Sequence, residues 1–98
     1  MKENSEKGFD ALKKGDYEIA SKIFLQIIDE RPENAESHLG YSFSCLSLGD
    51  ISEAEKHLKA AFSLFEAQNR LPEEYASAIE LLGLDPHNID YRFILMKV

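Results

Sequence analysis

The chain has 98 residues, of which 44% are hydrophobic and 30% charged, the composition of a globular domain long enough to bury roughly two thirds of the surface it exposes when unfolded. Its net charge of −7 repels phosphate backbones and anionic lipid, so neither nucleic acid nor a membrane is expected as a partner. No apolar run approaches the ~20 residues of a bilayer span, the segment Met1 to Asp10 is polar where a secretory leader would be apolar, and the lone Cys45 excludes an internal disulfide; a cytoplasmic location is expected.

Residues 4 to 14 are predicted to form a first helix, ended at Gly15-Asp16 because glycine supplies the left-handed conformation that closes helices. Tyr17 opens a second helix, in which Ala20, Phe24, Ile27 and Ile28 recur as one apolar stripe, and Arg31-Pro32 stops it. The third helix, about Ala35 to Leu48, carries Tyr41, Cys45 and Leu48 on one stripe with Leu39, Phe43 and Leu46 beside it. Apolar over more than half its circumference, it should be covered on two sides. Gly49-Asp50 ends it, and Ser52 with Glu55 reads as a capping box for a fourth helix to about Gln68, striped by Ala54, Leu58, Ala61, Leu64 and Phe65. After a break at Asn69 to Pro72, a fifth helix is predicted to Leu82; a second break at Asp85 to Asn88 leads into the apolar end, Ile89 to Val98. The expected fold is all-α, with about six helices.

The two Gly-Asp breaks are copies of each other. Gly15, Asp16 and Ala20 recur as Gly49, Asp50 and Ala54, and the same offset of 34 residues superposes Phe9 on Phe43, Leu12 on Leu46 and Lys22 on Lys56. A period of that length is the mark of stacked helical hairpins. Gly8, Ala20, Phe24 and Pro32 in the first unit, and Tyr41, Ser42, Ala54, Leu58 and Ala61 in the second, resemble the tetratricopeptide repeat, with His38 in the place of its Trp and Cys45 in the place of its Tyr. The resemblance implies an α-solenoid of antiparallel hairpins wound into a right-handed superhelix. It divides a single domain, 1–98, into repeat one (1–34), repeat two (35–68) and a degenerate third hairpin or capping helices (69–98). That last stretch aligns in two ways, with Tyr75, Ala76, Ile79 and Gly83 on repeat positions or with a truncated repeat starting at Ile89. Gly8 with Ala20, and Ser42 with Ala54, are expected to let the paired helices approach closely. Ala20, Phe24, Tyr41, Cys45, Ala54, Leu58 and Ala61 are expected to be nearly fully buried.

Candidate chemistry is sparse. His38, His57 and His87 fall on different predicted elements without metal-ligand spacing, Cys45 sits on an apolar stripe where a thiol is inert, and no phosphate loop occurs. No enzyme, cofactor or metal is expected. In the family that the chain resembles, the first helices of successive units line a concave peptide groove. That likeness implies a groove of Lys2, Ser5, Phe9, Leu12 and Lys13 from unit one and Glu36, Leu39, Phe43, Leu46 and Ser47 from unit two. Of these, Phe9, Leu12, Lys13, Leu39, Phe43 and Leu46 are the expected peptide-binding residues, with Phe9 and Phe43 on the same side. The family's clamp for acidic chaperone tails is missing, with Ser5, Phe9 and Gly40 at its places. The expected function is a protein-binding module for a peptide or helix of a partner. The alternative is self-assembly through the same apolar surface and the tail, where Phe93, Leu95 and Met96 would join two copies as a homodimer.

Overall fold

The structure, a computed structural model, describes residues 5–70. It contains α1 (Ser5–Lys14), α2 (Tyr17–Glu30), α3 (Ala35–Leu48) and α4 (Ile51–Ala67), and no strand among the described residues. These match the first four predicted helices to within a residue or so at each end. The expected fifth and sixth helices, and with them the third hairpin, lie outside the described residues. Consecutive helices pack as α1 with α2, α2 with α3 and α3 with α4, and α1 also touches α3. The first helices of the two hairpins therefore stand side by side.

The repeated Gly-Asp breaks are the same motif in space. Gly15 (φ 82°) and Gly49 (φ 89°) are left-handed. The amide of Asp16 donates to the Ala11 carbonyl at 2.9 Å and that of Asp50 to the Cys45 carbonyl at 2.8 Å, which satisfies the carbonyls each helix leaves open at its end. The starts of the helices differ from one another. The expected Ser52–Glu55 box is not the cap of α4, because the helix begins at Ile51 and Ser52 is already inside its first turn; Asp50 caps instead, accepting from the Glu53 amide at 3.2 Å. Asn34 caps α3 in the same way, accepting from the Ser37 amide at 2.9 Å, while the Asp16 side chain makes no capping bond to α2. Replacing Asn34 or Asp50 by Ala should each lower stability by about 1 kcal/mol, and Asp16→Ala by roughly 0.5 kcal/mol or less, since only the helix dipole is lost. Denaturant unfolding of the three variants checks the order.

The centre of the assembly is one aromatic ring. Phe24 of α2 is fully buried with Ala11 and Ala20, and Phe9, Leu12 and Tyr41 pack against that cluster. Gly8 of α1 and Gly40 of α3 both abut the ring; a methyl at Gly8 would stand 2.5 Å from it. The close approach expected of Gly8 with Ala20 thus makes room for Phe24, and Gly40, which the resemblance put at a place of the missing clamp, is the other half of the same cradle. A second cluster, Ala35, Ala61 and Phe65, joins α3 to α4. Six of the seven predicted core residues are buried. Tyr41 is the exception: it is half-buried, its ring packed on the rim of the Phe24 cluster and edge-on to His57 at 4.6 Å. Leu48, also expected on the inner stripe, is 48% exposed because α3 ends there, beyond the packed part of the hairpin.

Candidate binding face

The six expected binding residues come from α1 and α3, the two helices that stand side by side. Phe9, Leu12, Leu39, Phe43 and Leu46 are all half-buried, and Lys13 is exposed at the end of α1. Each half-buried side chain whose packing is defined rests one flank on the core. Phe9 lies edge-on against Phe24, with ring centroids 4.9 Å apart at 69°, Leu12 packs on the same cluster, and Leu39 packs beside Leu64 on Ala35, Ala61 and Phe65. Apolar side chains fixed by the core on one flank and open on the other can contact a ligand with little further loss of rotamer freedom.

Of the remaining groove positions, Ser5 is half-buried and Ser47 exposed. Glu36 is already engaged. Arg70 reaches it at 2.6 Å and lies over the Phe65 ring, 4.9 Å from its centroid, and this guanidinium holds the Glu36 carboxyl below its ordinary range. Gln68, just past α4, donates to the Glu33 carbonyl at 3.4 Å. Lys2 and the tail residues Phe93, Leu95 and Met96 lie outside the described residues.

Sequence spacing separated the histidines, and the fold brings two of them together. His38 and His57, both buried, are stacked with centroids 5.1 Å apart, and their Nδ1 atoms are 2.9 Å apart. His38 Nε2 donates to the Pro32 carbonyl at 2.8 Å, and His57 Nε2 is 3.6 Å from the Glu53 carboxylate. A packing role for His38 in the Trp place was legible; its partner nineteen residues on was not, because only the α3–α4 hairpin creates that contact. Burial pushes the Cys45 thiol up and, with Cys45 beside it, pushes the Tyr41 hydroxyl up to about 12, so neither supplies an anion at neutral pH. No group of three or more potential metal ligands occurs among the described residues, and none of their helices is long and apolar enough to cross a membrane.

A shallow depression of about 330 Å³ is lined by Gly15, Asp16, Tyr17, Glu18, Ile19 and Leu48. Its apolar lining residues Tyr17, Ile19 and Leu48 are among the most exposed large hydrophobic residues described.

A family model described as tetratricopeptide repeat matches residues 11–71. The chain belongs to the tetratricopeptide repeat family. The match begins in α1 and runs through both hairpins. Among solved structures, the first tetratricopeptide domain of Spaghetti (RPAP3), bound to the HSP90 peptide SRMEEVD, has a similar fold, with a TM-score of 0.57 at 21% identity over 95% of this chain and 85% of that one. No curated protein matches the chain in sequence. Phe24 and Ala20, on which the resemblance partly rested, are fully buried, and His38, expected in the place of the repeat's Trp, is paired with His57.

Proposed function

We propose that this tetratricopeptide chain is a non-enzymatic protein-binding module that holds a peptide or helix of a partner protein along the face of α1 and α3. The observation that carries the reading is the row of five half-buried apolar residues, Phe9, Leu12, Leu39, Phe43 and Leu46, on two adjacent helices. Phe9 with Phe43, and Leu12 with Leu46, occupy equivalent positions of the two repeats. A peptide lying across the repeats therefore meets the same two side-chain types twice. Lys13 at the rim would orient it by charge. The Spaghetti (RPAP3) domain, captured with a peptide, supports the general mode. It does not extend to an acidic ligand here: Gly40 is sealed under Phe24, and the chain is strongly acidic.

Phe43→Ala is expected to weaken partner binding by about 1 kcal/mol or more, as loss of an aromatic anchor does, with helical content by circular dichroism unchanged. The measurement is retention of a partner from native extract by the parent chain and by the variant, followed by titration of the purified pair. Equal affinity for both would remove Phe43 from the face and the reading with it. Light scattering on the free chain addresses the alternative of self-assembly, for which a stable dimer is the signature.

A further inference from the structure

The hydrogen bonds of the buried histidine pair fix where its protons are. A carbonyl oxygen only accepts, so His38 Nε2, 2.8 Å from the Pro32 carbonyl, carries a hydrogen. Neutral His38 then has a bare Nδ1, and the nitrogen 2.9 Å from it, His57 Nδ1, donates to it. That leaves His57 Nε2 without a hydrogen, pointing to Glu53 Oε1 at 3.6 Å. One chain of donors thus runs from α4 through α3 to the turn that joins the two repeats.

We propose that His38 and His57 form a one-proton joint between α4, α3 and the Pro32 turn: it accepts a single proton at His57 Nε2 with its bonds intact, and a second proton forces it open. The first proton lands beside the Glu53 carboxylate and leaves the Nδ1–Nδ1 bond in place. The second can only go to His38 Nδ1, which removes the one acceptor and sets two N–H groups and two positive charges against each other in a buried site. The surroundings do not offset this. On α4 Glu53 attracts a proton to His57 and Lys56 opposes it, on α3 His38 opposes it, and burial, the largest effect, holds the His57 imidazolium below its ordinary range. Tyr41 presents only a ring edge, and the Pro32 turn presents a carbonyl with Arg31 next to it in the chain. In the unfolded chain His57 is free to charge, whereas burial disfavours its charged form in the folded one, so the unfolded chain binds more protons below about pH 6.5. Stability from the joint is therefore complete above that pH and is lost as pH falls below it, before the carboxylates titrate.

Nitrogen-15 NMR of the imidazoles at about pH 7.5 tests the wiring: His38 is expected with its hydrogen on Nε2 and His57 with its hydrogen on Nδ1. Finding His57 with its hydrogen on Nε2 overturns the proposal. Thermal unfolding tests the consequence. Between about pH 7.5 and 5.5 the midpoint of the parent chain should fall by at least about 4 °C more than that of His57→Asn, whose amide can still donate to His38 but cannot titrate. Equal pH dependence in the two proteins also overturns it. If His57→Asn does not fold, the comparison is made with His38→Gln, which keeps a donor for Pro32, and the imidazole spectrum of the parent chain remains decisive alone.

Discussion

Phe24→Ala should remove about 3–5 kcal/mol, the cost of an emptied aromatic site, which is a large share of the stability of a domain this small. The ring has no exposed surface and is shared by three helices, with Gly8 on one flank, Gly40 on another and Phe9 edge-on. The cradle makes a second, sharper claim. Gly→Ala inside a helix ordinarily gains about 1 kcal/mol, yet Gly40→Ala should cost about 1 kcal/mol or more, because its methyl would enter the space of a ring that cannot retreat. In a Phe24→Leu background, where the tip of the ring is gone, the same Gly40→Ala change should become neutral or favourable. A double-mutant cycle from denaturant midpoints reads the reversal. Stabilisation by Gly40→Ala in the parent chain would show that the ring is not confined.

Ala54→Leu should cost about 1–3 kcal/mol by overpacking the second hairpin. Ala54 has no exposed surface and lies in the first turn of α4, next to Asp50, whose amide bonds the Cys45 carbonyl of α3. Moving away would break that bond, so the added carbons are not readily absorbed by a shift of the helix start. Ala67, exposed at the far end of the same helix, is the control, and Ala67→Leu should stay within about 0.5 kcal/mol. Melting midpoints of the pair decide it: equal values would mean that α4 turns a different side to α3.

The features written in local residue types were legible in the sequence. The left-handed closures at Gly15 and Gly49, the stop at Pro32 and the period of 34 residues follow from backbone rules that act over four or five positions. They placed four helices to within about a residue. What escaped depended on which helix lies opposite. Gly40 looks like any permissive helical glycine until the Phe24 ring of another helix arrives beside it, and His57 looks solitary until α4 folds back onto α3. Tyr41 matched a buried repeat position, but its ring lies at the rim of the Phe24 cluster, edge-on to His57, a contact that exists only once α4 has folded onto α3. The equivalence of Phe9 with Phe43 and of Leu12 with Leu46, from which the expected binding face was drawn, was readable. That Glu36 is tied to Arg70, and so is no free acid on that face, was not, because thirty-four residues and a whole hairpin separate the two.

Helix α3 has a consequence for how the chain folds. Four of its fourteen residues are serine and one is glycine, a composition with weak helix propensity at a length that is marginal for an isolated helix in water. Ser42 and Ser44 turn their hydroxyls back onto the Leu39 and Gly40 carbonyls, which supports the local backbone without committing it to helix. The small side chains that suit α3 to a place between α1, α2 and α4 are the ones that deny it stability alone. Its helix is templated by its neighbours, so neither hairpin is a separable folding unit and the two repeats should gain and lose structure together, as one cooperative transition.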